Sequence, residues 1–241
     1  HIFTDDPTRN TYGYDETEDL SFPPQVVVKP ANTFEVSEIL KISNRYKIPT
    51  VPIGARTGLS GGALAIYGGI GISMERFNKI LEIDERNLQI TTEPGVITQV
   101  LREAAAEKGL LYPVDPSSMG SCWIGGNIAE NSGGARALKY GVTKDYVLNL
   151  EVVLPTGDII WTGANTLKNS TGYNLTQLMV GSEGTLGIVT KAVLKLIPQN
   201  KHNILLLVPF VKAEEACEAV SAISRAGITP SALEFMERDA I

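Results

Sequence analysis

The stretch PIGARTGLSGG, residues 52–62, sets Gly54, Gly58, Gly61 and Gly62 among Arg56, Thr57 and Ser60, directly behind the apolar run IPTV. Glycine costs backbone entropy, so such a cluster marks a tight path or a close approach to something bulky. Successive free N–H groups in a turn form a concave anion site with no lysine required. Here the hydroxyls of Thr57 and Ser60 add donors and Arg56 adds charge. Two further clusters follow, WIGGNIAENSGG at 123–134 and GSEGTLGIVT at 181–190. One cluster alone reads as a tight surface loop. Three, each beside an expected strand or helix end, read as a binding site, and the chemistry they suit is the holding of phosphate.

Two common ways of doing this are excluded. No Gly-x-Gly-x-x-Gly opens a helix after the first strand, and no Gly-x4-Gly-Lys-[Ser/Thr] occurs. Dinucleotide binding of the Rossmann type and P-loop phosphoryl transfer do not fit. The polar run from Lys168 to Asn174, KNSTGYN, has two open readings. It is a solvated loop, or it holds a carboxylate through Lys168. Glu183, between glycines, suits the orientation of a backbone turn better than the work of a base. The histidines are His1 and His202, and neither falls in a glycine cluster. Cys122 and Cys217 lie far apart without metal-type spacing, so no metal site is expected and a reduced, cytoplasmic setting is.

These clusters need elements to position them. The β-branched run at 26–29 is a strand closed by Pro30, and Thr33 caps a helix bearing Val36, Ile39 and Leu40 as far as Tyr46. Strands are expected at 48–53, 70–73 and 80–84. A helix carries Ile97, Val100, Leu101, Ala104 and Ala105, with Gly109 as its stop. Residues 147–161 read as two strands around a Pro-Thr-Gly-Asp turn, 175–180 as an apolar turn, and 187–197 as another strand. Strands and helices mixed with local hairpins indicate an α+β fold rather than a doubly wound parallel sheet. Beyond Gln199 a strand at 204–208, a helix at 212–226 and a strand at 233–236 open a second unit. Without a partner layer it would leave an apolar face bare, so the chain is expected to end inside a second domain.

Hydrophobic residues make up 43% of the 241 and charged residues 20%, enough to bury a core. The net charge of −6, with no block of like charges, argues against nucleic acid or an acidic membrane as partner. No apolar run approaches the ~20 residues that span a bilayer. The N-terminus, HIFTDDPTRN, lacks a basic-then-apolar signal.

Four stretches in order, PIGARTGLSGG, DPSSMGSCWIGGNIAENSGGARALKYG, KNSTGYNLTQLMVGSEGTLGIVT and PSALEFMERDAI, resemble the FAD-linked oxidases of the vanillyl-alcohol oxidase and p-cresol methylhydroxylase superfamily. The resemblance is to the branch holding the glycolate oxidase FAD subunit, D-lactate dehydrogenases and D-2-hydroxyglutarate dehydrogenase. It implies a p-cresol methylhydroxylase-type FAD-binding domain over 1–199, with subdomains over 1–88 and 89–199. An incomplete α+β substrate (cap) domain opens over 200–241.

The same resemblance implies which residues meet FAD. Pro52, Ile53, Gly54, Ala55, Arg56, Thr57, Gly58, Leu59 and Ser60 match the segment around the diphosphate. Pro116, Ser117, Ser118, Met119, Cys122, Gly125, Gly126, Ala129, Asn131, Ser132 and Gly133 match segments along the flavin and diphosphate, and Ile188 and Val189 a deep strand. Lys168 and Tyr173 become substrate-side candidates. Some relatives tether FAD through a histidine where this chain has Arg56, so the cofactor is expected to be held without a covalent link. The expected reaction is oxidation of a small D-2-hydroxy acid by hydride transfer to flavin N5. The catalytic base and any divalent metal belong to the part beyond Ile241. The hydroxy acid and the electron acceptor stay open, as do a homodimer and partner subunits.

Overall fold

A computed structural model of the chain describes residues 1–237. β1 (Ile2–Phe3) precedes α1 (Asp6–Thr11) and pairs antiparallel with β2 (Val26–Val28). α2 (Thr33–Tyr46) buries Val36 and Leu40 on one face and ends where Lys47 turns left-handed at φ 56°. Its N-cap is Asn32, not Thr33. The Asn32 side chain accepts the Glu35 N–H at 3.0 Å, while the Thr33 hydroxyl is already engaged with Glu151. β3 (Thr50–Ile53) and β4 (Ile70–Ser73) complete a sheet in the order β1-β2-β4-β3, with β2 and β3 both parallel to β4.

The second sheet starts at β5 (Ile80–Asp84), on the N-terminal side of the 88/89 division read from the sequence, and continues with β6 (Gln89–Thr92). After these come α3 (Thr98–Ala106), β7 (Leu110–Leu111), α4 (Ile124–Glu130) and α5 (Ala137–Tyr140). Then follow β8 (Val147–Val153), β9 (Ile159–Trp161), α6 (Leu175–Met179), β10 (Ile188–Lys195) and β11 (Ile197–Pro198). The order is β5-β6-β10-β8-β9, antiparallel throughout, and β11 pairs with β7 separately. A core of Ile90, Leu101, Tyr112, Ile124, Ile128, Leu150 and Leu194 lies under α3 and α4. Val153 and Ile188 of the second sheet pack with Val28 and Ile72 of the first, with Val36 of α2 and with Phe77 of the β4–β5 connection, so one apolar seam joins the two halves.

A polar clasp backs that seam. Glu151, 7% exposed, accepts from Thr33 Oγ1 at 2.7 Å, Thr190 Oγ1 at 2.9 Å and Lys191 Nζ at 2.9 Å. Burial pushes the Glu151 carboxyl up, but the bonds from Lys191, Thr33 and Thr190 outweigh it and hold the group below the usual carboxylate range. A pKa lower folded than unfolded stabilises the fold above the unfolded value, and that contribution fades as pH falls through the folded one. Glu151→Ala is expected to cost about 2 kcal/mol at neutral pH. That is below the roughly 3–5 kcal/mol of a fully buried pair, because Lys191 is 35% exposed and rehydrates. Urea unfolding checks this, and the difference between the two proteins should shrink below about pH 4.

Beyond Gln199 the helix forms as α7 (Ala213–Arg225) and the expected strands do not. Residues 204–208 and 233–236 carry no strand assignment, and Leu205 is 95% exposed. A strand is defined by its ladder, and among the described residues no neighbour offers these segments one. The expected turn at 175–180 is instead α6, capped by Asn174, whose side chain accepts the Gln177 N–H at 3.0 Å.

Candidate functional site

β3 ends at Ile53, and the ten residues 54–63 then run as an irregular loop. Among the described residues, none of these ten N–H groups donates to a protein acceptor. Buried or half-buried backbone donors are nearly always paired, so a run of unspent ones marks a surface shaped for an acceptor from outside.

Opposite stands the first turn of α4. The Ile124 and Gly125 N–H groups donate to Val96 O at 2.9 Å and Pro94 O at 2.7 Å. A Cβ on Gly125 would sit 2.7 Å from Pro94 Cβ, so only glycine lets the helix start so close. Among the described residues the Gly126 N–H has no partner, and it lies 4.0 Å from where a Cβ on Gly54 would stand. Two sets of free donors therefore face one space. The third wall is tied to α4 by the Gly181 N–H on Ile128 O at 2.9 Å and the Glu183 N–H on Ala129 O at 3.0 Å. From there the chain passes Gly184 and Gly187 into β10.

Between these walls lies a cleft with about 1130 Å³ of empty space, part of it open to solvent. Its polar walls are the glycine loop with Asp15, Ser132, Glu130 and Glu183, and its apolar walls are Met74, Pro94, Trp123, Ile128, Met179 and Ile188. Apolar walls with a few convergent polar groups are the usual make-up of a cofactor cleft.

Of the residues read from the sequence, Pro52, Ile53, Gly54, Ala55, Arg56, Thr57 and Gly58 line this cleft. So do Ser118, Cys122, Gly125, Gly126, Ala129, Ser132, Ile188 and Val189. Leu59, Ser60, Pro116, Ser117, Met119, Asn131 and Gly133 do not. Leu59 points to solvent, and Pro116 and Met119 close a turn by the Met119 N–H on Pro116 O at 2.9 Å. Asn131 ends α4 with φ 53°, and its side chain accepts the Lys144 N–H at 2.9 Å. Lys168 and Tyr173 are not brought to the cleft: both are exposed, Tyr173 at 94%. Cys122 is buried, its Sγ 3.3 Å from Thr98 Oγ1.

Three carboxylates of the cleft escaped the sequence reading as wall residues: Asp15, Glu130 and Glu183. Burial, then the neighbouring Glu183, pushes the Glu130 carboxyl up; the hydrogen bond from Ser60 Oγ at 3.3 Å opposes this. Glu183 has φ 51°, held by its N–H bond to Ala129. No spacing or pattern marks Asp15, because the N-terminal segment reaches the cleft only through tertiary folding. Among the described residues no group of three or more His, Cys, Asp or Glu could hold a metal ion, and no helix is long and apolar enough to cross a membrane.

Comparison with known proteins agrees with this geometry. A family model described as an FAD binding domain matches residues 24–163, and one described as the C-terminal domain of FAD linked oxidases matches residues 199–241. The chain is 50% identical over 230 residues to the glycolate oxidase subunit GlcD of Bacillus subtilis, covering 95% of this chain and 49% of that protein. It is 45% identical over 239 residues to a D-lactate dehydrogenase of Archaeoglobus fulgidus, covering 98% and 53%. It is 41% identical over 195 residues to a D-2-hydroxyglutarate dehydrogenase of Stutzerimonas stutzeri, covering 81% and 42%. The chain thus spans about half the length of the curated relatives it matches. Among solved structures, an alkyldihydroxyacetonephosphate synthase superposes with a TM-score of 0.80 at 25% identity, over 96% of this chain and 44% of that one.

The residues present fit FAD. The unspent N–H groups would suit two linked phosphates, the bare Cα atoms of Gly54 and Gly126 leave room for them, and the apolar wall residues would suit a planar ring.

Proposed function

Since the chain belongs to the FAD-linked oxidases of the vanillyl-alcohol oxidase and p-cresol methylhydroxylase superfamily, related to the glycolate oxidase, D-lactate and D-2-hydroxyglutarate dehydrogenase branch, we propose that it is the cofactor-holding part of a D-2-hydroxy-acid oxidoreductase. The observation that carries this reading is the run of unpartnered N–H groups on the cleft-lining residues 54–58, with Gly54 close to the free Gly126 N–H. FAD, when bound, supplies the hydride acceptor at flavin N5. The chain's own part is to bind and orient. The N–H groups of 54–58 and of Gly126 hold the diphosphate. Ser118, Ala129 and Ser132 border the cofactor's length. Met74, Trp123, Met179 and Ile188 keep water from the ring end.

In this proposal residues 1–199 form the cofactor domain and 200–241 the opening of the substrate domain. Lys168 and Tyr173 serve the substrate side, not the cofactor. Lactate, glycolate and 2-hydroxyglutarate are the substrate candidates. A cytoplasmic setting, read from two unpaired cysteines, belongs to the same reading. A second reading, an FAD-carrying electron-transfer subunit whose substrate site comes from another chain, is favoured by one observation: neither histidine lines the cleft. The length of the natural reading frame decides between them.

The cofactor is held without a covalent bond. Arg56 occupies the tethering position, and the Cys122 thiol, though on the cleft wall, is buried with its Sγ 3.3 Å from Thr98 Oγ1. Acid precipitation is expected to leave all flavin absorbance in the supernatant. Colour retained in the pellet would identify Cys122 as the attachment point, and a colourless protein that fails to bind added FAD would overturn the function itself.

A further inference from the structure

A loop that spends none of its N–H groups internally needs another means of holding its shape. Position 56 sits in the left-handed region at φ 61°, which an arginine adopts only when its surroundings enforce it. The enforcing contacts come from the N-terminal segment. The Arg56 guanidinium lies over two rings, 5.2 Å from the Tyr12 centroid and 5.0 Å from that of Tyr14, and it donates to the Thr11 carbonyl. Tyr12 is a firm anchor: its hydroxyl donates to Glu75 Oε2 at 2.7 Å, and Lys29, paired with Glu75 at 2.7 Å, lies over its ring at 5.3 Å. Two residues past Arg56, the Glu16 N–H donates to Gly58 O at 3.2 Å. The family match begins only at residue 24.

We propose that residues 11–16 form a strap which holds the glycine loop open for an anion, with Arg56 acting as a positioning residue through Tyr12 and Tyr14 rather than as a charge on the diphosphate. This rests on the FAD reading above. A guanidinium already held over two rings and bonded to a carbonyl has little freedom left to follow a phosphate. The three carboxylates around the loop leave anion binding to backbone donors, whose usefulness depends on their arrangement.

The test compares wild type, Arg56→Gly, Tyr14→Leu and the double variant after the cofactor has been stripped. Glycine relieves the φ strain, and Tyr14 is half exposed, so neither change threatens the fold. FAD is titrated by flavin fluorescence at low and high salt, and chymotryptic cleavage after the exposed Leu59 is timed in the cofactor-free proteins. Each single change is expected to weaken FAD binding about fivefold, as loss of a stacked cation does, with no recovery at high salt. The double variant should be no worse than either single one, and all three should be cut faster after Leu59. Unaltered affinity in Tyr14→Leu, with an Arg56→Gly deficit that disappears at high salt, would make Arg56 a direct phosphate ligand and overturn the strap. If wild type itself binds no FAD, the functional reading falls and the cleavage rates alone judge the strap: equal rates in all four proteins would sink it.

Discussion

Replacing Gly126 with valine is expected to raise the dissociation constant for FAD by ten- to a hundredfold while the cofactor-free protein folds normally. Apart from its own helix backbone and chain neighbours, no atom of the described residues lies within 4 Å of where a Cβ on Gly126 would stand, so the added group has room in the cofactor-free protein. Gly126 lines the cleft and carries the free N–H that faces Gly54. A branched side chain there keeps the diphosphate from both. Overpacking costs about 1–3 kcal/mol, and each 1.4 kcal/mol is about a factor of ten in affinity. Gly125→Val is the contrast: its Cβ would fall 2.7 Å from Pro94 Cβ, so it should lower the melting temperature of the cofactor-free protein. Unchanged FAD affinity in Gly126→Val, measured on protein with a normal melting temperature, would remove α4 from the site.

Loaded with FAD, the 241-residue chain is expected to be bleached by dithionite and by none of D-lactate, glycolate or D-2-hydroxyglutarate under anaerobic conditions. Hydride loss from a hydroxy acid needs a general base within hydrogen-bond reach of the hydroxyl, typically worth about 10²–10⁴ in rate. The cleft's carboxylates crowd the wrong place. Glu130 Oε1 lies 3.5 Å from where a Gly58 Cβ would be, beside the loop proposed for the diphosphate, and the charges of Glu183 and Asp15 act on it there. Cys122 Sγ is committed to Thr98. His1 and His202 are exposed and away from the cleft. Reduction of the flavin by any one of the three acids would place the base within this chain and overturn the division of labour between cofactor and substrate parts.

What was legible in the sequence was mostly local. β4, β5 and α2 follow from runs of apolar residues at strand or helix spacing, and the glycine loop from composition alone. β6, Gln-Ile-Thr-Thr, has one aliphatic residue and escaped notice, because its burial comes from its neighbours β5 and β10. α4 was hidden by two glycines and the lack of a side-chain cap, features that suit close packing on Pro94 and a clear approach for a ligand better than helix propensity. The expected strands at 204–208 and 233–236 had the right residues and no ladder to join. Of the site, the glycine walls were readable. Asp15 and the Tyr12–Arg56–Tyr14 stack were not, since they join residues more than 40 positions apart through a tertiary contact with no local signature.

β10 lies between β6 and β8 in the second sheet, yet it is made after both. On the ribosome, the hairpins β5–β6 and β8–β9 emerge with both edges bare, and their inner edges, β6 and β8, are closed only when residues 188–195 leave the tunnel. Unpaired strand edges recruit other chains, and multi-strand sheets with distant pairing fold slowly. Until that single late strand arrives, the two hairpins have nothing to join them into one sheet. The same strand carries Ile188 and Val189 into the cleft, so the cofactor site and the closing of the sheet's interior are completed together.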